Sequence, residues 1–167
     1  FNIGDFSGQG ELGVILFLNK IQFRLNNDGW ARKIDFTDTT SWHHLACIYD
    51  TSGEAGSKIY LDGVETSGAT SGSFPADADM DLSGLKTIIG AYYDNTFTFD
   101  GQMADVRLYN DVLTQAEIQV LASKINIDSA LGPGIANLLA WWKLNEGTGT
   151  TATDYENTGS DYDGTIT

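Results

Sequence analysis

Apolar and polar positions along most of the chain alternate with a period of two rather than 3.6. Short runs rich in Ile, Val, Leu and aromatics occupy 13–18, 21–25, 44–49, 58–61, 87–91 and 103–109. Turn residues bound them: Asn26-Asn27-Asp28-Gly29, Asp50-Thr51-Ser52-Gly53, Asp62-Gly63 and Asp100-Gly101. Strands at this spacing predict an all-β chain, a two-sheet antiparallel sandwich of the jelly-roll kind. Leu45-Ala46-Cys47-Ile48-Tyr49 is apolar on both parities, the pattern of a central strand covered on both faces. A single short helix is expected late in the chain. Thr114-Gln115-Ala116-Glu117 is a capping box, and Ile118, Leu121 and Ala122 then fall on one helical stripe.

After Ser123 the pattern changes. Residues 125–137 contain Gly132-Pro133-Gly134 and read as a linker. Leu138-Leu139-Ala140-Trp141-Trp142-Lys143-Leu144 is a fresh strand, followed by a Gly/Thr-rich stretch and Asp163-Gly164-Thr165-Ile166. The expected organisation is a sandwich over 1–124, the linker 125–137, and strands over 138–167 that pack on this sandwich or a neighbouring one. Two adjacent tryptophans need such a partner.

Composition sharpens this picture. Nine basic against 23 acidic residues give a net charge of −14, and 17 of the acids are Asp. Asp favours turns, caps and cation-binding loops. The charge disfavours nucleic acid and anionic membranes as partners. No apolar run approaches the roughly 20 residues a spanning helix needs, so membrane insertion is not expected. The chain opens on Phe1, which reads as a processed chain or a fragment, and the lone Cys47 permits no internal disulfide.

Most local motifs fail on inspection. Gly8-Gln9-Gly10-Glu11-Leu12-Gly13 matches G-x-G-x-x-G but is followed by a strand, so it reads as a hairpin loop. His43 and Cys47 lie four residues apart on one strand, roughly 13 Å, too far to share zinc. Asp77-Ala78-Asp79-Met80-Asp81 opens like an EF-hand loop, but Leu82 and Ile88 stand where that loop needs Gly and Glu. No G-x-S-x-G is present, and no enzyme is expected. Loop aromatics are the usual platform for sugars, which makes Trp30, Tyr92, Tyr93 and Phe97 the ligand-binding candidates. Trp42, Trp141 and Trp142 are assigned instead to the core or to the tail interface.

Three stretches carry a resemblance. Trp42-His43-His44-Leu45-Ala46, Tyr49-Asp50 and Ile59-Tyr60-Leu61-Asp62-Gly63 resemble the central hairpin of laminin-G-like, concanavalin A-like domains. Ile89-Gly90-Ala91, the run from Phe99 to Asn110, and the segment 113–121 are similar to that family's closing strand and helix. Leu139 to Gly147, with Gly149, Asp154 and Asp163-Gly164-Thr165-Ile166, look like its opening strands. Middle and end thus precede a beginning. A window from a tandem array, a permuted domain, and strand donation to a neighbouring copy each account for that order.

The resemblance implies a non-catalytic extracellular or cell-surface recognition and adhesion module that binds glycan or protein. The alternative is a structural subunit of a repeat array or fibre, with Leu139, Trp141, Trp142 and Leu144 as assembly residues and copies of itself as partners. A third reading is an accessory module of a polysaccharide-degrading protein. Relatives that hydrolyse glycans carry an E-x-D-x-x-E strand, absent here. The family often holds one Ca²⁺ between loops, which singles out Asp105 and Asp154 as ligands with Asn157 and Asp163 behind them, since calcium takes several oxygen donors.

Overall fold

The computed structural model describes residues 2–3, 12–25, 30–50, 56–66, 68–71, 87–91, 98–123, 137–156 and 162–166. The chain forms two compact units, Phe1–Asp100 and Gly101–Thr167. Among the described residues the elements are strands in antiparallel pairs and one short helix, an all-β architecture.

The first unit holds two sheets. One runs in the order β8(Ala69–Ser71), β4(Trp30–Asp35), β3(Lys20–Leu25), β2(Leu12–Phe17), β1(Asn2–Ile3), β9(Thr87–Ile88). The other is β5(Leu45–Ile48), β6(Lys58–Leu61), β7(Val64–Thr66). Between them sit Ile21, Phe23 and Ile34 from the first sheet and Ile59 from the second, flanked by Val14, Phe36, Cys47, Tyr49 and Leu61. This is the alternating inward-facing core of a sandwich. Ile59 is 0% and Tyr60 3% exposed, so consecutive residues of β6 are covered on both faces.

Two tight turns set the register. β6 and β7 are joined by Asp62 and Gly63 at φ 53° and 77°, the positive values that a two-residue hairpin turn demands. β2 and β3 are joined by Leu18 and Asn19, also at positive φ (49° and 58°). Leucine takes that conformation at a cost and is exposed there. Gly68, just ahead of β8, has no room for a side chain. A Cβ would fall 2.6 Å from the Lys33 carbonyl oxygen of the neighbouring β4.

The sequence pattern misses β4. It places Trp30 in a loop, whereas Trp30 opens a six-residue strand paired with β3 along its whole length. Ala31, Arg32 and Lys33 interrupt the apolar alternation there. The tertiary pairing outweighs that weak local signal.

The second unit contains β10(Val106–Tyr109), α1(Gln115–Ala122), β11(Leu138–Trp142), β12(Thr151–Ala152) and β13(Gly164–Thr165). The capping box forms as the sequence predicts. Thr114 Oγ1 accepts from Glu117 N at 3.3 Å, and the Glu117 carboxylate accepts from Thr114 N at 2.7 Å. Ile118 and Leu121 are the buried residues of the helix. β11 pairs antiparallel with β10 of its own chain, with Val106 opposite Trp142 and Arg107 opposite Trp141.

Candidate functional site

The second unit shows what β11 carries. Directly opposed residues of an antiparallel pair share a face, as do residues two apart on one strand. That rule puts Arg107 and Trp141 on one face, and the contacts of Asp105 and Lys143, which flank the two strands, bring them to the same side. Asp105 Oδ1 accepts from the Trp141 indole N–H at 2.6 Å and from Arg107 Nε at 2.8 Å, and Oδ2 accepts from Arg107 Nη2 at 3.2 Å. The Arg107 guanidinium lies 4.5 Å from the Trp141 ring centroid, and Lys143 Nζ lies 4.9 Å from Trp141 and 4.3 Å from Tyr155. Trp141 is therefore caged by two cations, a carboxylate and a second aromatic ring.

Asp154 secures the same tryptophan from its backbone. Its Oδ1 accepts from Trp141 N at 2.8 Å and from Glu156 N at 2.9 Å, its Oδ2 accepts from Tyr162 N at 3.3 Å, and Asp163 Oδ1 accepts from Asp154 N at 2.7 Å. On the other face of β11 the Trp142 indole donates to the Tyr162 carbonyl at 3.0 Å. Trp141 and Trp142 are both buried, as the sequence assigns them. Leu139 shares their strand, and Leu144 follows it at φ 56°. Donating this strand to a neighbour would require it to leave β10.

The two aspartates expected to share calcium thus both hold Trp141, one at the indole and one at the main chain. The Asp105 carboxylate faces a guanidinium, and a divalent cation there would have to displace it. Near Asp154 the chemistry is more open to a cation. Glu156 is only 8% exposed, and neither of its carboxylate oxygens has a hydrogen-bond partner. A buried carboxylate is costly without a compensating charge or donor, so this end of the acidic set fits a hard cation better than Asp105 does. Among the described residues, no three His, Cys, Asp or Glu side chains gather around one point.

The first unit carries a site that the sequence reading missed. Asp38 Oδ1 accepts from Thr40 N (2.9 Å), Thr40 Oγ1 (2.8 Å) and Ser41 N (3.2 Å), closing a turn ahead of β5. His43 Nδ1 lies 2.8 Å from Asp62 Oδ2, and His43 Nε2 lies 3.4 Å from Asp38 Oδ2. Asp62 also accepts from His44 N at 2.9 Å and donates its own N–H to the His44 carbonyl at 2.8 Å. Trp42 stands between these pins, with Ser41 fixed on one side and His43 on the other. Trp42 is 66% exposed, so it is not a core residue. The preceding run Asp38-Thr39-Thr40-Ser41 was the available signal, because it places Trp42 on a polar turn outside the strand.

The electrostatics follow from this geometry. Hydrogen bonds from the Thr40 N–H and the Ser41 and Thr40 hydroxyls hold the Asp38 carboxyl well below the usual carboxylate range. Burial pulls Asp62 upward, but the hydrogen bonds from His43 and His44 N–H and the His43 charge outweigh it, and the net shift is downward. The hydrogen bond to Asp62 raises His43 above its ordinary 6.5, against the opposing pull of burial and with help from the Asp62 and Asp38 charges. Desolvation beside the core pushes the Cys47 thiol up to about 12, so it stays protonated at neutral pH.

Of the other candidates, the Trp30 backbone is in β4, and its side chain lies outside the described residues, as do Tyr92, Tyr93, Phe97 and Asn157. Neither a curated protein nor a solved structure matches the chain. A family profile does: that of the laminin-G-like concanavalin A-like lectin/glucanases superfamily, over residues 4–119. The matched span contains the sandwich strands from β2 to β9, the Trp42 turn, the strand β10 and the first part of its helix. Sandwich, helix and sequence profile agree, and the chain belongs to the concanavalin A-like lectin/glucanase superfamily.

Proposed function

We propose that the chain is a non-catalytic extracellular recognition module that takes a neutral glycan on the Trp42 shelf. The exposure of Trp42 between two pinned neighbours carries this reading. A solvent-facing indole on a backbone whose neighbours are held offers its ring to the apolar face of a sugar at reduced entropic cost. The Thr40 and Ser41 hydroxyls and the carboxylates of Asp38 and Asp62, whose side chains are about half exposed, supply hydrogen-bond groups for sugar hydroxyls. The same carboxylates and the −14 charge select against sulfated or sialylated glycans. His43 faces a carboxylate with each ring nitrogen, so it serves no nucleophile, in keeping with a family whose laminin-G-like members are generally binding modules.

A glycan array spanning neutral and anionic sugars tests the reading. Binding should be confined to neutral glycans, and Trp42→Ala should weaken it by about 30-fold or more, as for a central aromatic anchor. The substitution should leave thermal stability within about 0.5 kcal/mol of the parent, because the side chain is exposed. Binding of no glycan, or undiminished binding by Trp42→Ala, defeats the proposal.

Calcium belongs to the same proposal, at Asp154 and Asp163 with Glu156, and Asn157 adjoining in sequence. When bound there it would neutralise the acidic cluster and the buried Glu156 charge. Calorimetry of the intact chain with Ca²⁺ should give a binding heat and a raised melting temperature, both reduced in Glu156→Gln. No heat and no thermal shift rule it out.

A further inference from the structure

His43 is set between two carboxylates in a way that only one of its protonation states satisfies. Nδ1 faces Asp62 at 2.8 Å, and Nε2 faces Asp38 at 3.4 Å. A neutral imidazole has one N–H and one lone pair. Whichever nitrogen lacks the proton turns its lone pair on a carboxylate oxygen, acceptor against acceptor. The imidazolium donates to Asp62 from Nδ1 and sets its positive charge 3.4 Å from Asp38 at Nε2, an ion-pair contact without a formed hydrogen bond. Nε2 is closed off from solvent, and the Phe36 ring packs edge-on at 5.1 Å, so water does not relieve the mismatch. The charged groups facing the ring are Asp62 from the β6–β7 turn and Asp38 from the turn before β5, with His44 next along the chain acting on Asp62.

We propose that the Asp38–His43–Asp62 clamp is a proton-operated latch on the Trp42 shelf, closed while His43 is an imidazolium and released when it becomes neutral. The proton that leaves is the one on Nε2, because the shorter contact to Asp62 keeps Nδ1–H. It passes to solvent by way of the Asp38 carboxylate, which faces Nε2 and is itself about half exposed, and the three side chains go from a net charge of −1 to −2. Nε2 and Asp38 then repel and part. Asp38 carries the Thr40–Ser41 turn on its other oxygen, so its displacement moves Ser41, the residue before Trp42. Trp42 loses the pin on one flank and its indole is no longer held in place.

The sign follows from the direction in which His43 is shifted. Its pKa in the folded chain lies above the ordinary 6.5, so the latch is fully closed below that value and opens as pH rises through the higher folded one. The consequence for binding rests on the reading of Trp42 as the ligand platform; the latch itself does not. By linkage, each unit by which ligand occupancy raises the His43 pKa is about a tenfold fall in affinity across the transition.

NMR titration of the full chain between about pH 5 and pH 9, following the His43 ring C–H and the Trp42 indole N–H in the same sample, tests the latch. Assignment uses His43→Gln and Trp42→Phe. His43 should titrate above 6.5, and the Trp42 signal should move with the same midpoint. Asp38→Asn should carry both midpoints to lower pH together. A His43 midpoint at or below 6.5, or a Trp42 signal flat through the His43 transition, overturns the proposal. Glycan binding should fall across the same transition in the parent and be independent of pH in His43→Gln. A chain that titrates in this way but binds no glycan retains the latch and loses the glycan reading. A chain that binds glycans with a static Trp42 signal loses only the latch.

Discussion

Replacing Trp141 by alanine is expected to destabilise the chain by about 3–5 kcal/mol, the range for deleting a buried large aromatic. For a chain of this size that corresponds to a fall in Tm of about 6–20 °C. Two costs add. The first is the cavity beneath a buried ring on β11. The second is electrical: Arg107, itself largely buried, loses the aromatic face it stacks on, and Asp105 loses its 2.6 Å donor. Trp141→Phe keeps an aromatic ring but loses the indole N–H together with the pyrrole part of the bicycle, so it should cost less than Trp141→Ala and at least about 1.5–3 kcal/mol, the worth of a hydrogen bond to a charged group. Asp154→Ala should lie between these two, because it strips the acceptor from the Trp141, Glu156 and Tyr162 backbone N–H groups. Urea unfolding of the three variants gives the ranking. A Trp141→Phe variant as stable as the parent shows that the indole does not bond Asp105.

The cage shows how far sequence alone can reach. Trp141 and Trp142 were identifiable as buried because two adjacent tryptophans on an apolar run have nowhere else to go. The helix was legible to the residue at its start, since the Thr114–Glu117 box is a local device whose geometry depends on four consecutive residues. The turn at Asp62-Gly63 was legible for the same reason. What escaped depends on register. Arg107 becomes the partner of Trp141 only when β10 and β11 pair as they do, and nothing within four residues of Arg107 announces that. Asp105 and Asp154 were singled out as a pair, and both do act on one centre. That centre is an indole and its backbone, which a count of carboxylates does not show. Trp42 escaped for the opposite reason: tryptophan has a strong prior for burial, and only the pins at Ser41 and His43 place it in solvent.

Phe23→Ala should produce a loss of similar size in the first unit, about 3–5 kcal/mol, for a different reason. Phe23 is 1% exposed at the middle of β3, packed with Ile21 and Ile34 from its own sheet and Ile59 from the facing one. It bridges the two layers, so its removal opens a void on both sides of the sandwich. Ile59→Val, which removes one methyl group from the same cluster, should cost only about 0.5–1.5 kcal/mol. The site should respond differently from the core. Asp62 follows the last residue of β6 and His44 precedes the first of β5, and both are held to one another by main-chain bonds and by the Asp62 carboxylate. Those bonds are local and do not pass through Phe23. Below its own lowered melting temperature, Phe23→Ala should therefore keep the His43 midpoint and the Trp42 ligand affinity of the parent. Trp42→Ala should do the reverse, keeping Tm and losing the ligand. Denaturation and binding measured on both variants test this separation. A Phe23→Ala variant within about 1 kcal/mol of the parent would mean the ring is not the keystone of this core. Loss of binding well below its Tm would mean that the shelf is held by the core and not by the clamp.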